Sequence, residues 1–239
     1  MHDWKTIRLT RDFLEGVRGG IPMATTQIEL ILRLIHAWKP DPETIVDLGC
    51  GDGILGRYIL EYWPGSKGIF IDYSEPMLQA AREKGKPFKS RTTYYLLDFG
   101  DRKWKDSFRK YHPVDVVVSG FSIHHLEDDK KLQVYRDIFS ILKPGGIFLN
   151  LEHVASQDTR LEKMFDEVFI DGLFEFHQNN NSSLNRQEIS DKYYNREDKI
   201  LNKLTLVESQ CQWLREIGFQ NVDCYFKLFE IALFGGCKP

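Results

Sequence analysis

The chain has 239 residues, 42% of them hydrophobic, which suits one globular domain with a full core and argues against global disorder. Its 32 basic and 35 acidic side chains leave a formal net charge of −3, against the strong basic excess of a dedicated nucleic-acid binder. Four scattered cysteines, Cys50, Cys211, Cys224 and Cys237, contain no CxxC, so they argue against a disulfide framework or a metal site and read as small buried residues of a reduced protein. The opening MHDWKTIRLTRDF lacks the apolar stretch of a signal peptide, and no apolar run approaches the roughly 20 residues of a membrane span. A soluble, cytoplasmic protein is the expectation.

In chain order, residues 1–24 form an N-terminal arm, and TTQIELILRLIHAW (25–38) predicts a helix that Pro40 terminates. Five short apolar runs follow: IVDLG (45–49), GIFID (68–72), TYYLLD (93–98), VDVVVS (114–119) and GIFLNLE (146–152). Each has the length of a strand, and several are almost continuously apolar, as parallel strands covered on both faces are. Amphipathic segments at 54–63, 75–85 and 128–146 alternate with them and stop at Pro64-Gly65, Gly85 and a Pro-Gly-Gly turn. This alternation predicts an α/β fold: a Rossmann-like, mostly parallel sheet with helices on both faces. The rhythm then breaks. Residues 158–177 read as one helix, QNNNSS (178–183) as a loop and the segment to about 203 as charged and Tyr-containing, so that about 155–204 make a helical insertion after strand five. A helix at 206–219 and two further strands close a single domain of seven strands, the last antiparallel.

The stretch VDLGCGDG (46–53) sits between the first strand and its helix. Gly51, Gly53 and Gly56 satisfy a dinucleotide fingerprint, with Asp72 about 20 residues on. A diphosphate, however, would meet Asp47 before the turn and Asp52 inside it, whereas a ligand with cationic groups would be favoured there. S-adenosylmethionine (SAM) is such a ligand, with its sulfonium and ammonium groups.

VDLGCGDG resembles motif I of the class I SAM-dependent methyltransferases, and the other landmarks follow in order: FIDYSEPML, LLDFGD, VDVVVSGFSIHHLED, LKPGGIFL and the closing WLREIGFQNVDCYFKLFEIALFGG. The resemblance implies SAM as cofactor. It implies a cofactor site built from Asp47, Gly49, Gly51 and Gly53 at the first turn, Asp72 on the ribose hydroxyls with Tyr73 beside it, Met77 packed on adenine, Asp98 and Phe99 at the adenine amino edge, and Ser119 after strand four. A plain strand-end cap is the alternative for Asp98. The closing segment resembles that of small-molecule methyltransferases, so a small-molecule acceptor is the expectation; the charge balance argues against a nucleic-acid partner, no membrane partner is expected, and a homodimer is compatible with the sequence.

Methyl transfer needs alignment above all, and a base only where the acceptor must lose a proton. His124 and His125 after strand four and Glu152 at the end of strand five are the catalytic candidates, with His153 beside them; burial against the sheet or loop capping would explain them equally. Phe165, Phe169, Phe174, Phe176, Tyr193 and Tyr194 of the insertion read either as core or as the wall of an acceptor pocket, and Arg18 before Gly-Gly-Ile-Pro as a cofactor contact or a surface charge. Three rival readings stay open. RNA or protein methylation has only the short basic run at residues 102–110 in its favour. A carboxy-SAM synthase shares the fold, but its extra anion-binding residues are not identifiable in the sequence. A non-catalytic SAM-binding protein would share every cofactor motif.

Overall fold

The computed structural model describes residues 20–196, 199 and 201–239. Seven strands form one sheet: β1 (Thr44–Leu48), β2 (Lys67–Asp72), β3 (Thr92–Leu96), β4 (Val114–Gly120), β5 (Leu142–His153), β6 (Gln220–Leu228) and β7 (Ile231–Cys237). Their order is β3-β2-β1-β4-β5-β7-β6. The first five run parallel, and β7 pairs antiparallel with both β5 and β6. β1 and β4 are buried almost throughout, because helices cover both faces of the sheet.

One face carries α1 (Ala24–Trp38), α2 (Ile54–Tyr62) and α3 (Glu75–Lys84); Ile31, Ile35, Leu55, Ile59 and Leu78 meet Ile45, Val116, Val118 and Leu149 there. The insertion helices α5 (Thr159–Asn179) and α6 (Arg186–Tyr194) join this same layer through Phe165, Phe169, Ile170, Ile189 and Tyr193. The other face carries α4 (Asp128–Ile141) and α7 (Val207–Ile217), with Val134, Ile138 and Leu214 against Val46, Val117, Phe148 and Phe234. Successive strand residues point to opposite layers, which is the period-two rule at work.

The structure departs from the sequence expectations in two places. α4 ends at Ile141 rather than at the Pro-Gly-Gly turn, and β5 begins at Leu142. Pro144 disfavours helical backbone at Lys143 and cannot join the hydrogen-bond ladder of a preceding helix, so the chain extends early. The segment after the polar loop contains α6, begun by a reciprocal capping box between Asn185 and Glu188. The basic run at 102–110 lies on an amphipathic surface segment: Trp104 and Phe108 are buried, Lys105 pairs with Asp137 at 2.6 Å, and Arg102, Lys103, Arg109 and Lys110 are exposed. Among the described residues, no helix is long and apolar enough to cross a membrane.

Candidate active site

The chain order reverses between β1, whose successors β2 and β3 lie on one side, and β4, which lies on the other. Such a switch point opens a crevice beyond the carboxyl ends of the strands. A chamber lies there, lined at the β1 and β2 ends by Asp47, Gly49, Cys50, Gly51, Asp72, Tyr73 and Met77.

The turn after β1 is held from several sides. Cys50 N donates to Ile71 O at 2.9 Å and Gly53 N to Cys50 O at 2.8 Å. Asp72 Oδ2 accepts from Gly51 N at 2.8 Å, and its Oδ1 from Ser74 N at 2.9 Å. Asp47 Oδ2 accepts from Gly56 N in the first turn of α2 at 2.8 Å. Burial raises Asp47 to about 7, with Asp52 and Asp72 adding to the rise and the Gly56 N–H opposing it. Burial likewise raises Asp72 to about 6 against the backbone N–H groups that lower it. Asp52 differs: Lys84 Nζ lies 2.7 Å from its Oδ2 and Arg57 at 4.0 Å, so the protein answers its charge internally. The anionic character of the chamber therefore comes from Asp47 and Asp72, not from Asp52.

Two glycines of the turn are required for different reasons. A Cβ on Gly49 would fall 1.7 Å from Ser122 Oγ, so the loop after β4 packs directly on this backbone. A Cβ on Gly51, where φ is +54°, would meet only Met77 Sδ, at 3.9 Å. Gly51 thus leaves an open approach to backbone between a buried carboxylate and an apolar thioether. Those neighbours fit SAM: Asp72 can accept from a cis-diol, Met77 can pack on a base, and the acids suit a cationic ligand.

β4 and β5 are adjacent, with Ser119 opposite Asn150 and Gly120 opposite Leu151, and this register brings the remaining candidates together. Glu152 Oε1 lies 2.5 Å from His124 Nδ1, and Oε2 accepts from His124 N at 3.1 Å. The His124 ring lies 4.0 Å from that of His125 and 5.8 Å from that of His153. His153 Nε2 pairs with Glu230 Oε2 at 2.9 Å. Burial pushes Glu152 up to about 7, partly offset by the His153 backbone N–H and the neighbouring imidazoles. All three histidines line the chamber, while Glu152 stands behind His124. Among the described residues, no group of three or more His, Cys, Asp or Glu is arranged to hold a metal ion.

Other sequence candidates lie off this wall. Ser119 is buried and its Oγ donates to Leu48 O at 2.8 Å, a tie between β4 and β1. Gly53 caps α2. Phe99 is buried against the Gly49 turn. Asp98 is exposed and accepts from Gly100 N at 2.8 Å, the strand-end cap. Arg18 lies outside the described residues. The insertion closes the chamber with Phe165, Phe169, Tyr193, Arg196, Lys199 and Asn202. Sequence reasoning missed Arg196, Lys199 and Phe121. Nothing in the pattern around the two basic residues points inward. Phe121 has φ +51°, a strained value for an aromatic residue that only coordinates reveal.

Residues 46–148, from the glycine turn into β5, match a family model described as a methyltransferase domain. A carboxy-S-adenosyl-L-methionine synthase of Campylobacter lari is 24% identical over 95% of this chain and 90% of its own length. One of Pseudoalteromonas atlantica is 26% identical over 92% and 86%. Among solved structures, an O-methyltransferase family protein from Burkholderia thailandensis superposes with TM-score 0.60 at 17% identity, over 88% of this chain and 55% of that one. PigF, solved with S-adenosylhomocysteine (SAH), gives 0.55 at 16% identity over 82% and 51%. The chain spans about half the length of these two structures, which attest the fold. Motif order, sheet topology and the family model over residues 46–148 together support a class I SAM-dependent methyltransferase.

Proposed function

We propose that this chain transfers the methyl group of SAM to a small-molecule acceptor. One observation carries the reading: the cofactor wall and the β4–β5 histidines share a single chamber roofed by the insertion. A roof of Phe165, Phe169 and Tyr193 suits a compact acceptor with an apolar body. SAM supplies a methyl group already activated by its sulfonium. The chain's own work is to hold Asp72 ionised toward the ribose, keep Met77 beneath the base, exclude water with the aromatic roof and align the acceptor. Where the acceptor bears a proton, His124 takes it through Nε2, because Nδ1 is engaged by Glu152, which orients the ring and stabilises the imidazolium. The test is transfer of labelled methyl from SAM to a cell extract split by size. Label in the low-mass fraction is expected; label confined to protein or RNA overturns the reading.

The curated relatives favour a second reading, in which SAM is itself the group modified. Mass spectrometry of the nucleoside product separates the two. SAH marks methyl transfer, and SAM heavier by a carboxyl group marks the alternative.

A further inference from the structure

Two imidazole–carboxylate pairs meet at the chamber, and methyl transfer with His124 as base employs only the first. The second is His153 with Glu230. His153 ends β5 opposite Ile231 of β7, lines the chamber and has a side chain 19% exposed. Its Nε2 lies 2.9 Å from Oε2 of Glu230, which sits in the turn between β6 and β7. Burial raises the Glu230 carboxyl, but bonds from His153 and Ser156 outweigh it and hold the group below its ordinary value. The surrounding backbone is fixed as well: His153 N donates to Glu152 Oε1 at 2.9 Å and Val154 N to Glu230 O at 2.7 Å. The His153 ring packs between those of His124 and Phe165, at 5.8 and 5.5 Å between centroids. Its other nitrogen, Nδ1, makes no hydrogen bond among the described residues.

We infer that His153 positions the acceptor by receiving, at Nδ1, a second O–H or N–H that neighbours the group to be methylated. This rests on the small-molecule reading above and deepens it, since it makes the acceptor a small diol or amino alcohol on an apolar body. An ionised carboxylate only accepts, so in the neutral imidazole Glu230 keeps the proton on Nε2 and leaves the lone pair on Nδ1. The opposite tautomer would leave a buried carboxylate facing a lone pair, which is costly. An Nδ1 lone pair takes an O–H or N–H and offers nothing to an ether or carbonyl oxygen. The ring packing and the β5–β7 ladder fix its direction before the acceptor arrives. The His124 and His153 rings are close enough for two groups of one small molecule to meet both, so the second contact turns the first group toward the methyl donor.

The compound labelled in the low-mass fraction of a cell extract is purified, and its methylated product is identified by mass spectrometry and NMR. A free O–H or N–H on an atom neighbouring the methylated group is expected. A product without one overturns the inference and leaves small-molecule methylation standing, whereas label only in macromolecules, or nowhere, removes the underlying reading as well. With that compound as substrate, His153→Phe should raise KM about tenfold and lower kcat by less than about threefold, the mark of lost uniform binding. His153→Asn carries an amide oxygen close to the place of Nδ1 and should recover most of the loss. Both variants take the same partner from Glu230, so a difference between them reports on Nδ1 and not on the stability of the hairpin. Equal KM in the two, or a matching fall in SAH affinity by calorimetry, would make His153 structural and overturn the proposal. A kcat lowered about a hundredfold with KM unchanged would make it a base and overturn it too. Should neither variant fold, nitrogen NMR of the native imidazole decides with SAH bound. The proton is expected on Nε2, and the Nδ1 resonance should move when the purified acceptor is added; a proton on Nδ1, or an unmoved resonance, contradicts the assignment.

Discussion

Asp72 spends both carboxylate oxygens on backbone donors before any ligand arrives, yet it lines the chamber. An oxygen with a remaining lone pair, fixed by two N–H groups, is a preorganised acceptor for a diol. Asp72→Asn retains the shape and removes the charge, so SAH affinity should fall by about 1.5–3 kcal/mol, roughly 10- to 150-fold, in calorimetry at pH 8. In the native protein the same affinity should weaken as pH falls below about 6, where this carboxylate takes up a proton. Wild-type affinity unchanged between pH 5 and 8 would contradict the assignment. His124 calls for a kinetic test instead. His124→Ala should lower kcat by about 10²- to 10⁴-fold for an acceptor that loses a proton, with SAH affinity nearly unchanged. A kcat within threefold of native would leave His124 as packing only.

At the scale of elements, the insertion is tied down at its C-terminal end by a buried lysine. Lys131 Nζ donates to Thr205 Oγ1 at 2.6 Å, to Asp128 Oδ1 at 2.9 Å and to Lys203 O. Lys203 N in turn donates to His124 O at 2.7 Å, so the returning segment and the histidine loop share a support. Lys131→Met would leave Thr205 and the Lys203 carbonyl short of a donor, at a cost of about 1–3 kcal/mol. Thermal unfolding should shift down by roughly 2–10 °C, and limited proteolysis should cut first near residues 195–205. Intact resistance there would show that the aromatic contacts alone hold the roof. The insertion also shows why element-level reading is uneven. α6 has a weak apolar stripe, only Ile189 and Tyr193 being buried, so hydrophobic periodicity hardly marks it. Its cap was nonetheless written in Asn185-Arg-Gln-Glu188, a local signal independent of burial.

For the molecule as a whole, three buried carboxyls bias stability with pH. Asp47 and Glu152 are raised to about 7 and Asp72 to about 6, mainly by burial. A carboxyl raised on folding binds more protons in the native than in the unfolded state between the two pKa values. Its contribution is therefore full below about pH 4 and is lost as pH rises through about 6–7. Asp115 acts in the opposite sense: despite its burial, Lys143, Lys39 and the Thr44 N–H hold it below its ordinary value, and its support is lost only at more acidic pH. The ligand-free protein should accordingly melt at lower temperature at pH 8 than at pH 5. Asp47→Asn, which still accepts from Gly56, should recover roughly 2–4 °C at pH 8, the shift that about 1 kcal/mol makes in a chain of this size. An equal or lower melting temperature would mean that Asp47 is stabilised by more than its burial suggests.

Local chemistry was enough to read the parallel strands, most helices, the glycine turn and Asp72, because burial on both faces, helix stops and a strand–turn–helix junction each leave marks within a few neighbouring residues. Gly49 and Gly51 looked equivalent in VDLGCGDG, and only the folded chain separated them, one pressed against Ser122 and the other open to the chamber. Glu152 and His124 were both visible as candidates, but their contact depends on β4 and β5 being neighbours in register. Lys84 quenches Asp52 across 32 residues, and Arg196 and Lys199 reach the chamber by way of Tyr193. Charge and shape at a site sum contributions from residues distant in sequence, and that sum is made only when the sheet closes over them.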